Sequence, residues 1–254
     1  MSEPVKISLC VITLNEADNL NDCLASAAWA DERLVVDSGS TDSTLEIAGR
    51  HGCRILHQDF LGHVKQKEFA VRSAAHEWVL CLDADERLQE GAEQEIRAVL
   101  AAPACREESG YFFPRHTFYL GGWINHGGWW PEYRLRLFNR DRGGWTGIDP
   151  HDRVEVQGGT RRLKSEIIHF NYRDLSHHME KVNAYTSIMA DRRFKAGKSA
   201  SLVKMVFNPF GRFLRMYFLR RGFLDGRKGF VIAVIGAFYV FLKYAKLWER
   251  HKYR

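Results

Sequence analysis

Trp78-Val79-Leu80-Cys81-Leu82-Asp83-Ala84-Asp85 is an apolar run that ends abruptly in two carboxylates. Its length and its polar boundary read as a buried strand running into a loop. Working upstream, Ile7–Leu14, Leu34–Val36 and Arg54–Leu56 read as three earlier strands. Helical patterns separate them. Asn15 stands where it could cap a helix through Leu20, Leu24 and Ala28. A second helix carries Leu45, Ile47 and Ala48 with Gly52 past its end, and Lys65–Ala75 has helical spacing at Phe69, Ala70 and Ala74. Strands alternating with helices through short loops predict βαβ units and a parallel sheet. After Pro103 the rhythm changes: Tyr111–Pro114, Arg134–Asn139 and Arg153–Val156 read as antiparallel strands added beside that sheet. From about Leu175 the pattern is helical. The predicted class is α/β, with a mixed, mainly parallel central sheet and a helical C-terminal extension.

The composition of the 254 residues, 45% hydrophobic and 27% charged, is that of a globular protein and excludes wholesale disorder. The net charge of +6 conceals an asymmetry. Residues 192–254 hold 16 Lys and Arg against two acids, Asp225 and Glu249, while residues 1–191 carry a net charge of −8. A basic tail on an acidic body calls for an anionic partner, a membrane surface or a nucleic acid. The tail interleaves Phe207, Phe210, Phe213, Leu214, Tyr217 and Phe218 with Arg212, Arg215, Arg220 and Arg221. Aromatics at helical spacing among arginines suit an anionic bilayer, and no RNA-binding motif is present, so a membrane surface is expected and nucleic acid is not. The uncharged run Gly229–Leu242 is 14 residues, short of the roughly 20 that span a bilayer. Cys10, Cys23, Cys53, Cys81 and Cys105 are scattered and form no CxxC pair, so they read as free thiols in a reducing compartment. The N-terminus does not read as a secretory signal.

In a parallel α/β sheet, ligands bind outside the carboxyl ends of the strands. Three such ends are polar here: Thr13-Leu14-Asn15-Glu16, Asp37-Ser38-Gly39-Ser40-Thr41-Asp42 and Asp83-Ala84-Asp85. Carboxylates gathered at one rim invite a divalent cation, and Asp83 with Asp85 suits Mg2+ or Mn2+. A solvated acidic turn is the plainer alternative. Asp37 could accept hydrogen bonds from a base or ribose, or simply form a turn; Asp42 reads as a helix cap. No GxGxxG follows any strand, which argues against a dinucleotide site. The Gly121–Glu132 segment combines glycines with Trp123, Trp129 and Trp130, whose faces could stack on sugar rings or pack inside. Arg134 and Arg136 share a strand face that could meet acceptor phosphates or merely face solvent. His169, His177 and His178 lack metal-ligand spacing and read as structural or surface residues.

Taken in order, Ile12-Thr13-Leu14-Asn15-Glu16, Asp37–Asp42, Lys65-x-Lys67-x-x-Ala70 and Asp83-Ala84-Asp85 resemble the family 2, GT-A fold, inverting glycosyltransferases. Arg134–Phe138, His151-Asp152-Arg153-Val154 and Gly222–Gly226 resemble a subgroup that glucosylates an inner-core heptose of lipopolysaccharide. The resemblance implies that Thr13, Glu16 and Asp37 hold the uridine and that Lys67 lies near the nucleotide or diphosphate. Asp83 would reach the ribose or a metal-bound water, and Asp85 the metal. It implies Asp152 as the general base, where the subgroup usually has Glu, with partial burial raising its pKa; a salt link to Arg153 or Arg161 is the alternative. His151 would position that base or pack. Leu14 stands where the family usually has an aromatic residue. Residues 1–174 would form the catalytic domain, with a nucleotide-sugar half to about 102 and an acceptor half over about 103–174. Trp129, Trp130, Arg134 and Arg136 would meet a lipid-linked saccharide acceptor. Residues 175–254 would be a basic, membrane-associating extension, placing the enzyme on the cytoplasmic face of a bacterial inner membrane with no protein partner implied. Rival readings are a polyprenyl-phosphate glycosyltransferase of the same fold, and a non-catalytic membrane-surface protein.

Overall fold

The computed structural model describes residues 4–102, 107–148 and 151–253, so Cys105 and the side chain of His151 lie outside the described parts. The chain forms two compact units, Met1–Arg115 with Tyr133–His169, and His116–Glu132 with Phe170–Arg254.

The first unit is built on β1 (Ile7–Thr13), β2 (Glu32–Asp37), β3 (Arg54–His57) and β4 (Trp78–Asp83), parallel neighbours in the order β3-β2-β1-β4. The unbroken apolar runs follow from burial on both faces. Ile7, Leu9 and Val11 of β1 and Trp78, Leu80 and Leu82 of β4 join one core. The intervening Cys10, Val79 and Cys81 join the core on the other face. Helix α1 (Ala17–Ser26) covers the first face with Leu20, Cys23 and Leu24, as α2 (Thr44–Arg50) does with Ile47 and Ala48. Helix α3 (His63–Ser73) covers the second with Ala70 and Val71. Three of the expected thiols, Cys10, Cys23 and Cys81, are free and buried.

Past β5 (Glu86–Leu88) and α4 (Ala92–Ala101) the strands are β6 (Glu108–Tyr119), β7 (Gly122–Trp123), β8 (Glu132–Asn139), β9 (Gly143–Ile148), β10 (His151–Val156), β11 (Gly159–Arg162) and β12 (Ile167–His169). The main sheet continues β4-β8-β6-β12-β5, with β8 antiparallel to β4. One expectation is corrected here. β10 does not join this sheet; it pairs with β9 in a separate two-stranded ribbon, with Asp152 opposite Gly147. Gly143 lets the ribbon close, since a Cβ there would lie 2.5 Å from the Glu155 carbonyl oxygen.

The second unit contains α5 (Leu175–Lys195), α6 (Leu202–Leu214), a π-helical turn over Arg215–Leu219, a 3-10 turn over Gly222–Asp225 and α7 (Gly226–Tyr253). Asp174 caps α5, its carboxylate accepting the His177 amide at 2.8 Å. The core is Tyr119, Ile124, Met216, Ile232 and Ala233, flanked by Trp129 and Tyr172. His178 is buried beside it, stacked on Tyr172 at 3.9 Å, with Nδ1 2.7 Å from the Tyr119 hydroxyl. Burial, then the charge of Lys181, lowers its pKa to about 4. A neutral His178 accepts the Tyr119 O–H. Because the folded pKa lies below the unfolded value near 6.5, stability is complete above about pH 6.5 and falls as pH drops toward 4. Between pH 7.5 and 5 this one group should cost about 2 kcal/mol. Melting curves across that range should show a shallower pH slope for His178→Phe than for the parent.

Candidate active site

Register brings the polar strand ends together. Thr13 at the end of β1 lies level with Asp37 at the end of β2, and Ile12 lies level with Asp83 at the end of β4. The loops after β1 and β2 are then bolted to one another. Asn15, expected to cap α1, does not; it adopts a left-handed backbone (φ 56°) and its side-chain oxygen accepts the Thr41 amide at 2.8 Å. The cap is shared instead by the next loop, with the Glu16 amide donating to Thr44 Oγ1 and the Ala17 amide to Asp42. Asp42, expected to cap the next helix, also accepts the Thr44 amide at 3.0 Å at the start of α2, one residue ahead of the N-cap position Ser43.

Thr13 and Asp37 are both buried, and they face each other. The Thr13 hydroxyl donates to Asp37 Oδ1 at 3.0 Å, and the amides of Gly39 and Ser40 donate to Oδ2 at 2.8 Å each; the Ser40 hydroxyl also donates to Asp37. Burial pushes the Asp37 carboxyl up, but these donors outweigh it and hold the carboxyl below its ordinary value. Four donors occupy about all the lone-pair positions of a carboxylate. Asp37 therefore shapes the Ser38–Thr41 loop. Glu16 is only half-buried and stands at the rim beside it.

At the end of β4, six charged side chains alternate in sign. Asp152 Oδ2 is 2.7 Å from Lys67 Nζ, which is 2.6 Å from Asp83 Oδ1. Asp83 Oδ2 is 2.6 Å from Arg136, Arg136 is 2.7 Å from Glu86, and Glu86 is 3.2 Å from Arg115. The indole of Trp145 closes one side, 4.5 Å from Lys67 Nζ and 5.4 Å from the Arg136 guanidinium. Three acids and three bases offset one another, which makes burial of such a chain affordable. Burial pushes Asp83 up, yet Arg136 and Lys67 together carry it well below the usual carboxylate range. Burial pulls the Lys67 ammonium down, but Asp83 and Asp152 reverse this and its pKa is raised.

Several sequence expectations change on this geometry. Asp152 does not have a raised pKa: burial pushes it up, but the charge and hydrogen bond of Lys67 outweigh burial and the net shift is downward. Its partner is Lys67, not Arg153 or Arg161; Arg153 pairs with Glu155. Arg136 is not on an acceptor-facing strand face. Its side chain is 5% exposed and its charge is taken by Asp83 and Glu86. β8 is an interior strand, paired between β4 and β6, and Arg136 is buried on it. Arg134 is half-buried on the same strand. Trp129 and Trp130 belong to the other compact unit. Trp129 is partly buried and packs against Tyr119 and Tyr172 beside that unit's core, the packed alternative that the sequence left open. Trp130 stacks on His116 at 4.2 Å, and of the three indoles in this segment Trp123 is the exposed one.

Sequence reasoning missed Glu86, Arg115, Trp145 and His169. The last bears on the cation. β12 pairs antiparallel with β5 and sets His169 opposite Glu86, next to Asp85. His169 Nε2 lies 3.6 Å from Asp85 Oδ1, and His169 Nδ1 is buried without a hydrogen-bond partner. Asp83 has one oxygen on Lys67 and the other on Arg136, so Asp85 with His169 is the less committed pair at this strand end. Among the described residues no cluster of three His, Cys, Asp or Glu side chains gathers around a cation position. The Asp85 carboxylate fits Mg2+ or Mn2+, which prefer oxygen ligands and complete their shell with water and substrate phosphate; the His169 imidazole is the softer donor of the pair.

Comparisons with known proteins place this architecture. The family model described as glycosyl transferase family 2 matches residues 8–162. The lipopolysaccharide core biosynthesis glycosyltransferase LpsC of Rhizobium meliloti is 30% identical over 263 residues, covering 99% of this chain and 95% of that protein. An uncharacterized glycosyltransferase of Rickettsia typhi is 31% identical over 254 residues, covering 96% and 87%. The mannosyltransferase PcManGT of Pyrobaculum calidifontis, solved in complex with GDP-Man and Mn2+, superposes with a TM-score of 0.56 at 15% identity, over 95% of this chain and 86% of that one. That likeness shows the fold, which is GT-A. By family model and near-full-length relatives together, the chain belongs to glycosyl transferase family 2 and is a glycosyltransferase.

Proposed function

We propose that the chain is an inverting, metal-dependent transferase that moves glucose from UDP-glucose onto a hydroxyl of an inner-core heptose of lipopolysaccharide. The observation that carries this reading is Asp152 held 2.7 Å from Lys67, which also contacts Asp83 at the end of β4. The likeness to LpsC, named for lipopolysaccharide core biosynthesis, supports the acceptor class.

Glu16 and the Ser38–Thr41 loop, held in shape by Asp37, bind the nucleoside. Asp83 meets the ribose. A divalent cation at Asp85 and His169 would neutralise charge on the departing diphosphate. Asp152 takes the proton of the acceptor hydroxyl as that oxygen bonds to C1 of the sugar, while the bond from C1 to the diphosphate oxygen breaks and UDP leaves. Lys67 links the two events. In the free enzyme it suppresses the basicity of Asp152. A diphosphate competing for the same ammonium would loosen that hold and let burial raise the base. Donor binding thereby switches the base on.

The test is a screen of nucleotide-sugars for metal-dependent UDP release, with and without truncated core oligosaccharide. Release from UDP-glucose stimulated by the heptose-bearing oligosaccharide is expected. Stimulation only by a polyprenyl phosphate would replace the acceptor assignment, and no release from any donor would remove it.

A further inference from the structure

Helices α6 and α7 leave rows of apolar side chains uncovered. On α6, Val203, Val206, Phe207 and Phe210 recur at helical spacing and are 60–65% exposed. On α7, Phe230, Val234 and Phe238 form a second row. Phe230 packs edge-on against Phe213 and Tyr217, which joins the two rows through an aromatic cluster. Loose packing does not explain the exposure. The opposite face of α7 approaches the preceding turn so closely that a Cβ on Gly229 would lie 1.8 Å from the Gly222 carbonyl oxygen.

Charge supplies the second observation. The stretch from the end of α6 to the start of α7, residues 212–228, contains Arg212, Arg215, Arg220, Arg221, Arg227 and Lys228 against Asp225 alone. Asp225 is already occupied by His126 and the amides of Asn125 and His126. Among the described residues none of Arg212, Arg215 and Arg220 is paired with a carboxylate, and partial burial with the charges of Arg220 and Arg215 holds the Arg212 pKa down. Unbalanced guanidinium groups flanking an apolar surface match lipid phosphates above acyl chains.

Length and composition alone would let the helix over Gly222–Tyr253 cross a membrane. Its uncharged run, Gly229–Leu242, falls short of the roughly 20 residues that span a bilayer, and its C-terminal end is held on α5. Lys246 Nζ donates to Asn183, Thr186 and Ser187 of α5, and Arg250 pairs with Asp191 there. Helix α6, with 13 residues, is about 20 Å long and cannot cross either.

We infer that α6 and α7 form a monotopic hairpin that enters one leaflet of an anionic phospholipid bilayer, with its apolar rows among the acyl chains and its arginines on lipid phosphates. The inference is independent of the reaction proposed above, because lipid binding is read without donor or acceptor.

The experiment is co-sedimentation of the full chain with vesicles of phosphatidylglycerol and phosphatidylethanolamine, against vesicles of phosphatidylcholine. Roughly a hundredfold preference for the anionic vesicles is expected from three arginines, weakening as salt rises. Phe207→Asp with Phe210→Asp should abolish binding, and Arg212→Ser with Arg215→Ser and Arg220→Ser should remove the preference. Circular dichroism checks that each variant is folded; the salt series on the parent needs no variant. A C-terminal tag should remain open to protease on the bound face. Equal binding to both vesicles, a protected tag, or no vesicle binding with self-association in light scattering would each overturn the inference, the last by assigning the face to a second copy.

Discussion

Asp152→Asn should lower kcat by a factor of about 10^2 to 10^4, the usual contribution of a positioned general base. The amide keeps the volume of the carboxylate and still accepts the Lys67 hydrogen bond, so the fold and the KM for the donor should hold. A parallel fall in kcat and kcat/KM would mark an interaction made only in the transition state. Steady-state UDP release measures both. Unchanged turnover would mean that the acceptor has no proton to lose, as with a phosphate. The pH profile gives the same residue a second test. Lys67 depresses the free-enzyme pKa of Asp152, so the ionised base persists as pH falls and the acid limb of kcat/KM lies below the ordinary carboxylate value near 3.9. In Lys67→Met the upward push of burial is no longer outweighed, and the limb should move to higher pH. A limb that stays in place would detach Lys67 from the base.

The second large effect concerns stability. Arg136→Met should cost about 3–5 kcal/mol, because it leaves the fully buried Glu86 and Oδ2 of Asp83 without their shared cation. For a chain of this size that is a fall in melting temperature of roughly 10 °C. Adding Glu86→Gln should restore part of the loss, since the remaining buried charge is then reduced. Thermal melts of the two single variants and the double variant measure the coupling. Simple additivity would show that the alternating charges act singly.

The same residues show what could be read from the chain beforehand. β1, β2 and β4 were legible because a strand buried on both faces must be apolar throughout, and such runs stand out against polar loops. β9, Gly143-Gly144-Trp145-Thr146-Gly147-Ile148, carries no such run; it exists through its pairing with β10, and Trp145 matters through Lys67 and Arg136. Arg134-Leu135-Arg136-Leu137 alternates as an exposed strand would, and only the position of β8 inside the sheet reverses that meaning for Arg136. The direction of the Asp152 shift depends on a lysine 85 positions away, and His169 meets Asp85 across a similar interval. Local pattern cannot report contacts at that range. Motif resemblance supplied Asp152 itself, but not its electrostatic partner.

The most direct test of the site is calorimetric titration of the full chain with UDP in the presence and absence of Mn2+. Metal-dependent binding is expected, lost in Asp85→Ala and in His169→Ala. Binding that ignores the metal, or that survives both substitutions, would contradict a diphosphate held through a cation at the end of β4.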